Sequence, residues 1–418
     1  MECVLQTLKE LYASRGDEIE NWLASKRSEA VPFVYTSVDL RHSRLRVVPV
    51  DTNLFPAGFN NLSPRGMDRA SRFLARHFQD DFPEAKRVLI IPENHTRNLF
   101  YLENLAVIKS LFEAQGLEVQ IGSLAVEKGE VLELKSHSGK PITQHHIMRD
   151  GNKVALKNGF VPDVVVVNND MTSGSPDILH ELEQPVIPPV GMGWYRRRKS
   201  VHFDMYKQLS TEFCEAFGLD PWLLSAEFHS CGLVDFKDRS SLECVAKSVE
   251  DILTRARAKH EEYGIKDDPY VFIKADSGTY GMGIMTVKTP EEIFELNKKD
   301  RNKMQTIKEG TRVSEIIIQE GVPTVDVIDD KVAEPMIYMI DGVPVGGMWR
   351  VNEQRDNRSN LNAAGMSFTG MCDETEDECG EWKSVQDCHF RSFGLVAALA
   401  ALAAAREQYE TPKQEMIG

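Results

Sequence analysis

The stretch Tyr270–Val287, YVFIKADSGTYGMGIMTV, decides how the rest of the chain is read. Its opening, Tyr270-Val271-Phe272-Ile273, is rich in strand formers and follows the breaker Asp267-Asp268-Pro269. Lys274 stands at the end of that strand. The turn Ser277-Gly278-Thr279-Tyr280-Gly281-Met282-Gly283 then places three glycines in six positions, and Ile284-Met285-Thr286-Val287 resumes as a second strand. Strand, lysine, glycine-rich turn and strand together suit a phosphate clamp. Glycines let backbone N–H groups approach anionic oxygens, and the lysine adds a point charge. The loop returns into a strand and not a helix, so it is neither a dinucleotide fingerprint nor a Walker A loop. An ordinary hairpin shows the same pattern, so the order of the surrounding elements has to decide.

Downstream, Thr289-Pro290-Glu291-Glu292 is a helix start, with the helix expected to run to Lys299. VSEIIIQ, residues 313–319, reads as a buried strand leading into Gln319-Glu320-Gly321-Val322-Pro323. Glu334–Ile340 and Val343–Val351 form a hairpin across Asp341-Gly342, a strong two-residue turn signal. A polar run follows, RVNEQRDNRSNLNAAG at 350–365. The apolar stretch Phe393–Ala405 is too short to span a bilayer and reads as a packed alanine-rich helix.

Upstream, Leu242–Tyr263 and Ser200–Phe217 read as helices. The second is preceded by Arg196-Arg197-Arg198-Lys199, and cations at a helix N-terminus oppose its dipole. They either steer an anionic ligand or form a solvated helix start. Residues 1–30 are helical, and Val34–Val50 alternates as a hairpin whose polar members are Asp39, Arg41, Arg44 and Arg46. Asp51, Asn53, Asn60 and Asn61 follow in a loop. Arginines grip carboxylates and Asp or Asn oxygens receive ammonium groups, so this region suits an amino-acid substrate. The plainer reading is a solvated hairpin with Asx turns. Val88–Ile91, a helix from about Asn98 to Gly116, and Leu117–Ile121 form a β-α-β unit. Such a unit argues for an open α/β sheet with ligands beyond its strand ends. Asn94, His95, Thr96 and Arg97 sit at one such end, and Asn168-Asn169-Asp170 close the apolar strand Val164–Val167. Residues 123–160 read as a charged, β-rich excursion. The expected division is a Rossmann-like substrate domain over 1–190, a helical linker over 191–268, and a catalytic domain over 269–418.

At 418 residues, 42% hydrophobic and 27% charged, the chain is expected to be a soluble globular protein of two or three lobes. Its net charge of −15 argues against nucleic-acid and membrane-surface partners. Seven cysteines without a signal peptide at Met1-Glu2-Cys3 suggest a reducing cytoplasm. Cys372, Cys379 and Cys388 are too widely spaced for a zinc pair and read as free thiols.

The order of elements in the second half resembles the ATP-grasp fold, in which two α+β lobes hold ATP between them. The resemblance implies that Lys274 with Ser277, Gly278, Gly281 and Gly283 contacts phosphate. It implies that Gln319, Glu320 and Val322 lie beside adenine, and that Arg350 meets the transferred phosphate. Asn360, with Asn362 two positions on, falls where a metal-binding Asn is expected. The family's Asp/Glu-x-Asn pair is absent: Arg358 stands two before Asn360, and Asn360 two before Asn362. The metal-binding acid then comes from Glu334, Asp341, Glu353 or Asp356. Glu334 is the first choice because it opens a strand.

Across the whole chain, VPFVYTSVDLRHSRLRVVPVDTNLFPAGFNNLSP, IPENHTRNLFYLENL, GMGWYRRRKSVHFD and IKADSGTYGMGIMTV resemble the small proteobacterial glutamate–cysteine ligase family of ATP-grasp type. That resemblance implies an α/β ATP-grasp enzyme joining L-glutamate to L-cysteine through an acyl phosphate, with ATP and Mg²⁺ as cofactors. Arg41, Arg46, Asn53 and Asn61 become the candidates for glutamate recognition, and none of the cysteines need be catalytic. The expected setting is cytoplasmic, with room for a homo-oligomer. Two rivals stand beside it, another ATP-grasp carboxylate–amine ligase and a nucleotide-binding regulatory protein without turnover. An NAD-dependent oxidoreductase is disfavoured, since no GxGxxG follows Val88–Ile91 or Val164–Val167.

Overall fold

The computed structural model describes residues 3–127, 129–232, 234–277, 284–296, 315–372 and 389–410. Gly278, Gly281 and Gly283 of the clamp turn lie outside the described residues, as do Cys379 and Cys388. The expected helix from Pro290 is described only as a 3₁₀ turn, Pro290–Ile293.

The chain opens with α1 (Val4–Glu29), which buries Val4, Leu5, Leu8, Ile19 and Leu23. The alternating segment forms the antiparallel hairpin β1 (Tyr35–His42) and β2 (Val47–Asn53). α2 (Pro64–Asp81) starts at Ser63, whose side chain accepts the Gly66 N–H. The β-α-β unit is β3 (Arg87–Pro92), α3 (Leu99–Glu113) and β4 (Glu118–Ser123). The charged excursion folds as β5 (Val131–Lys135), β6 (Pro141–Asp150) and β7 (Lys153–Leu156). With β8 (Val164–Asn168) and β9 (Val186–Ile187) these strands make a sheet of order β5-β6-β4-β3-β8-β9, with β7 beside β6. Central β3 runs parallel to β4 and β8, and its Val88–Ile91 run is fully buried. Strands covered on both faces read as continuous apolar runs for this reason.

The second sheet carries the stretch the reading began from. α4 (Lys199–Phe217) ends at Gly218, whose φ of 77° is left-handed and suits glycine. β10 (Phe228–Cys231), α5 (Arg239–Glu262), β11 (Val271–Ala275), β12 (Met285–Val287) and β13 (Ile316–Glu320) follow. The strands form an antiparallel sheet of order β10-β13-β11-β12. Val245, Val249, Ile252 and Leu253 of α5 pack on Val271, Ile273, Ile316 and Ile318 beneath it. Val271 pairs with Val287 and Ile273 with Met285, so two adjacent strands bracket the glycine turn.

The third sheet contains β14 (Val327–Ile328), β15 (Lys331–Ile340), β16 (Val343–Asn352) and β17 (Met366–Gly370). Asp341 and Gly342, at φ 51° and 65°, make the left-handed two-residue turn between β15 and β16. A Cβ on Gly342 would lie 2.8 Å from Pro32, a second reason for glycine there. The sheet order is β17-β16-β15-β1-β2, so the N-terminal hairpin completes it from the other end of the chain. α6 (Phe390–Glu410) covers this sheet and packs on α1 and α4, with Ala397–Ala401 buried together with Val38, Leu40 and Val47.

The sheets do not follow the chain order of the expected division at residue 190. Residues 35–53 belong to the same sheet as 331–352, while 87–187 form the Rossmann-like unit. Alternation announces a half-buried hairpin, but nothing local in it names the sheet it joins. No helix among the described residues is long and apolar enough to cross a membrane.

Candidate active site

A cleft opens between β11 of the four-stranded sheet and the face of β1, β2, β15 and β16. On the large sheet, alternation puts Asp39 and Arg41 of β1 on one face. Glu334 and Arg350 are direct cross-strand partners of β15 and β16. These four side chains interlock. Arg350 Nη1 donates to Glu334 Oε1 at 2.6 Å and to Asp39 Oδ2 at 2.7 Å. Arg41 Nε meets Glu334 Oε2 at 2.7 Å, so both Glu334 oxygens are held by arginines. Arg41 also donates to the carbonyls of Asn357 (3.1 Å) and Ser359 (2.6 Å), fixing the loop that carries Asn360 and Asn362. Within that loop Asn360 Oδ1 accepts the Asn362 N–H at 3.0 Å, and both side chains line the cleft.

The small sheet contributes Lys274 from the end of β11. Its Nζ donates to Gln319 Oε1 at 2.7 Å and to the Val50 carbonyl at 3.2 Å, both uncharged acceptors. Burial, then the charge of nearby Lys199, brings the Lys274 amine down to about 7. Lys199, at the start of α4, bonds Asp51 Oδ1 at 2.6 Å. Burial works against the Asp51 charge, yet Lys199 and then Lys274 hold its pKa below the ordinary carboxylate range. Asp39 moves the opposite way: burial raises it and Arg350 only partly compensates. Burial also opposes the charge on Arg350, but Asp39 and Glu334 more than offset that and raise its pKa. Arg350 Nε in the cleft and Gln319 Nε2, on the amide that holds Lys274, are buried donors with no partner among the described residues. Orphaned donors beside a cationic cleft are suited to anionic oxygens.

The cation run before α4 is explained by its partners. Asp276, two residues past Lys274, accepts from Ser200 N at 2.7 Å and Ser200 Oγ at 2.6 Å, placing a carboxylate at the helix N-terminus. Arg197 forms a buried pair with Glu407 of α6 at 2.8 Å, Arg198 pairs with Glu315, and Lys199 faces the cleft.

Of the residues singled out in the sequence, Lys274, Ser277, Arg41, Glu334, Arg350, Asn360 and Asn362 meet at this cleft. Others do not line it. Arg46, expected to bind substrate, is buried against Trp222 (3.9 Å to the ring) and grips Glu320 at 2.5 and 2.9 Å. That carboxylate and guanidinium neutralise each other beneath the surface, so neither offers a free charge to a ligand. Asn53 Oδ1 accepts the Phe55 N–H in an Asx turn, and Asn61 is exposed with Nδ2 near Met348 Sδ. Val322, two residues past β13, is buried. Among the alternative acids, Asp341 sits in its turn, Glu353 pairs with Lys331 at 3.1 Å, and Asp356 accepts from Ser359 Oγ at 2.7 Å. Asp39, Asp51 and Lys199 also line the cleft; the sequence placed them in a substrate-suited hairpin and loop and in a cation run, without a role for each.

A family model for glutamate-cysteine ligase matches residues 9–408. A crystal structure of a protein assigned as a gamma-glutamylcysteine synthetase from Methylobacillus flagellatus KT is similar at a TM-score of 0.88 and 42% identity, over 97% of this chain and 96% of that one. A D-alanyl-alanine synthetase A from Vibrio cholerae matches at 12% identity and TM-score 0.32, over 72% of this chain and 78% of that one. A glutathione synthetase-like effector from Globodera pallida matches at 10% and 0.37, over 87% and 80%. Neither of these two superposes well enough to carry an argument. A search of curated proteins returns no match. The family match runs through all three sheets and every residue of the cleft, and the chain belongs to the glutamate-cysteine ligase family.

Proposed function

We propose that the cleft joins the γ-carboxylate of L-glutamate to the amine of L-cysteine at the expense of ATP, through an acyl phosphate. The observation that carries this reading is the meeting of Lys199, Lys274, Arg41 and Arg350 in one cleft, in a chain of this family. A carboxylate is a poor electrophile toward an amine, so a γ-carboxylate oxygen first attacks the terminal phosphorus of ATP and ADP leaves. The deprotonated amine of cysteine then attacks the acyl carbon, the amide C–N bond forms, and phosphate departs. Such chemistry depends on in-line positioning and charge neutralisation and needs no covalent nucleophile.

Lys274 meets the phosphates, and the orphaned Arg350 Nε contacts the transferred group as negative charge spreads over its oxygens. Gln319 at the end of β13 lies on the adenine side, and Ser277 stands at the phosphates beside Lys274. The carboxylates of Asp39, Asp51 and Glu334 and the amides of Asn360 and Asn362 are the hard oxygen donors Mg²⁺ prefers, with no thiol among them. A paired carboxylate keeps lone pairs for a metal. Bound there, Mg²⁺ would supply charge neutralisation at the phosphate oxygens. Lys199 is the partner for a glutamate carboxylate, while Arg41 holds Glu334 and the loop of Asn360 and Asn362 in place. The setting is cytoplasmic and nucleic acid is no partner, a reading the net charge of −15 supports.

The test is phosphate release by purified protein with Mg-ATP and glutamate, with and without cysteine, in wild type and Lys274→Ala. Cysteine-dependent release abolished in Lys274→Ala is the expected result. Equal release with other amines would move the assignment to a broader carboxylate–amine ligase. ATP binding without release under any substrate pair would leave a nucleotide-binding regulatory protein.

A further inference from the structure

On the side of β1 away from the cleft's clamp lies a cluster the ligation chemistry does not use. Cys3 Sγ is 3.8 Å from His42 Nε2, and His42 Nδ1 is 2.9 Å from Asp326 Oδ1. Thiol, imidazole and carboxylate are thus in line, the arrangement that generates a nucleophilic thiolate. Cys3 occupies the N-cap of α1 and is half-buried; His42 and Asp326 are buried behind it, with the Phe393 ring edge-on to the imidazole. We propose that Cys3 is a thiol–disulfide exchange site for low-molecular-weight disulfides, and that its modification is felt in the cleft through His42 and Arg41.

The electrostatics agree with the geometry. The hydrogen bond with His42 lowers the Cys3 pKa, against the effect of burial. Burial opposes the charge on His42, but Asp326 and then Cys3 push it up to about 9, so near neutral pH it is an imidazolium. In the exchange the Cys3 thiolate attacks one sulfur of the disulfide. A new S–S bond forms as the old one breaks, and the departing thiolate takes a proton from water. The small disulfide is the oxidant; half of it leaves as a thiol and half stays on the protein.

The connection to the cleft is short. His42 follows Arg41 on β1, and its carbonyl accepts the Val325 N–H at 2.8 Å. The neighbouring Thr324 N–H donates at 2.9 Å to the Asn357 carbonyl, the same oxygen that Arg41 Nη1 holds. A mixed disulfide at Cys3 removes the thiolate from His42 and crowds the ring, disturbing the two segments that fix the Asn360 loop. This part rests on the ligase reading of the cleft; the exchange chemistry does not.

The test treats the full-length protein with hydroxyethyl disulfide at neutral pH and follows each cysteine by peptide mass spectrometry. Cys244 is the internal reference because it is exposed and lies far from this cluster in the sequence. Each unit of thiol acidification raises the thiolate fraction about tenfold and lowers nucleophilicity about threefold, a net gain of about threefold. Cys3 is therefore expected to react faster than Cys244, although it is less exposed. In His42→Asn the Cys3 rate should fall to the Cys244 rate or below, with an unchanged Cys244 rate reporting that the fold is kept. Phosphate release should fall in proportion to Cys3 labelling, recover with dithiothreitol, and be insensitive to the disulfide in Cys3→Ser. A Cys3 rate no greater than that of Cys244 would overturn the exchange site. Complete Cys3 labelling with undiminished phosphate release would overturn the link to the cleft. If the untreated protein shows no ligation at all, the functional reading fails while the labelling ratio still decides the exchange site.

Discussion

The two walls of the cleft carry cations in opposite states. On the large sheet Arg41 and Arg350 are enclosed by Glu334 and Asp39, so their charge is matched within the protein. On the small sheet Lys274 donates, among the described residues, to an amide oxygen and a carbonyl, and burial and then the Lys199 charge bring its pKa down to about 7. One wall is neutralised in advance and rigid; the other holds a cation whose charge awaits an anionic partner. The division suits a reaction in which one wall positions a carboxylate while the other meets a nucleotide.

Breaking the matched wall should have the largest effect. Arg350→Ala leaves Asp39 and Glu334 buried without their shared donor, and removing one partner of a buried ion pair costs about 3–5 kcal/mol. A large fall in the urea midpoint together with loss of phosphate release is expected. Arg350→Lys should recover more of the stability than of the release, because one nitrogen, Nη1, meets both carboxylates, whereas lysine has no counterpart of the Nε left for the transferred phosphate.

The unmatched wall should behave in the reverse sense. Lys274→Met is expected to keep or raise stability while losing activity, since a buried cation without an anion is replaced by an apolar chain of similar length. The pH dependence follows from the depressed pKa. Between about 7 and the unfolded value of 10.5, the unfolded chain binds more protons at this site, so wild-type stability gains on Lys274→Met as pH rises through that window. A difference in urea midpoint between the two proteins that stays flat from pH 7 to pH 10 would contradict it.

Nucleotide binding sharpens the same contrast. Phosphate beside Lys274 favours its charged form, so ATP binding near neutral pH should take up a proton. Affinity should weaken by up to about tenfold per unit as pH rises above 7. Calorimetry in buffers of different ionisation enthalpy reads the uptake directly; equal apparent enthalpies in all buffers would exclude it. The smallest effect is expected at the join of the small sheet to α4. Asp276→Asn weakens the carboxylate at that helix start, with a stability loss of about 1 kcal/mol and an undiminished ATP proton uptake.

What the sequence made legible was local. The β11–β12 pair, the Asp341-Gly342 turn and the β3-α3-β4 unit all follow from strand formers, turn chemistry and period, and all are present. The resemblance to a family then singled out Lys274, Glu334, Arg350, Asn360 and Asn362, which the fold brings to one cleft. Arg41 and Arg46 show where such reading stops. They stand five residues apart in one hairpin, yet Arg41 faces Glu334 across the cleft wall and Arg46 is enclosed with Glu320 and Trp222. Their fates are set by carboxylates far away in sequence, which no local pattern encodes. Asp39, Asp51 and Lys199 were named without individual roles for the same reason: each acquires its role only when distant segments meet.

The placement of β1 between β2 and β15 also sets an order of events in the life of the molecule. During synthesis the strand bearing Asp39 and Arg41 leaves the ribosome among the first, and its partner β15 among the last. Until then one edge of β1 has no backbone to pair with, and the growing chain carries an open strand edge of the kind that recruits other chains. The catalytic wall is thus assembled only near the end of translation. Release of a chain cut short before Lys331 would yield no partly active enzyme, and the nascent hairpin is where a chaperone would be needed.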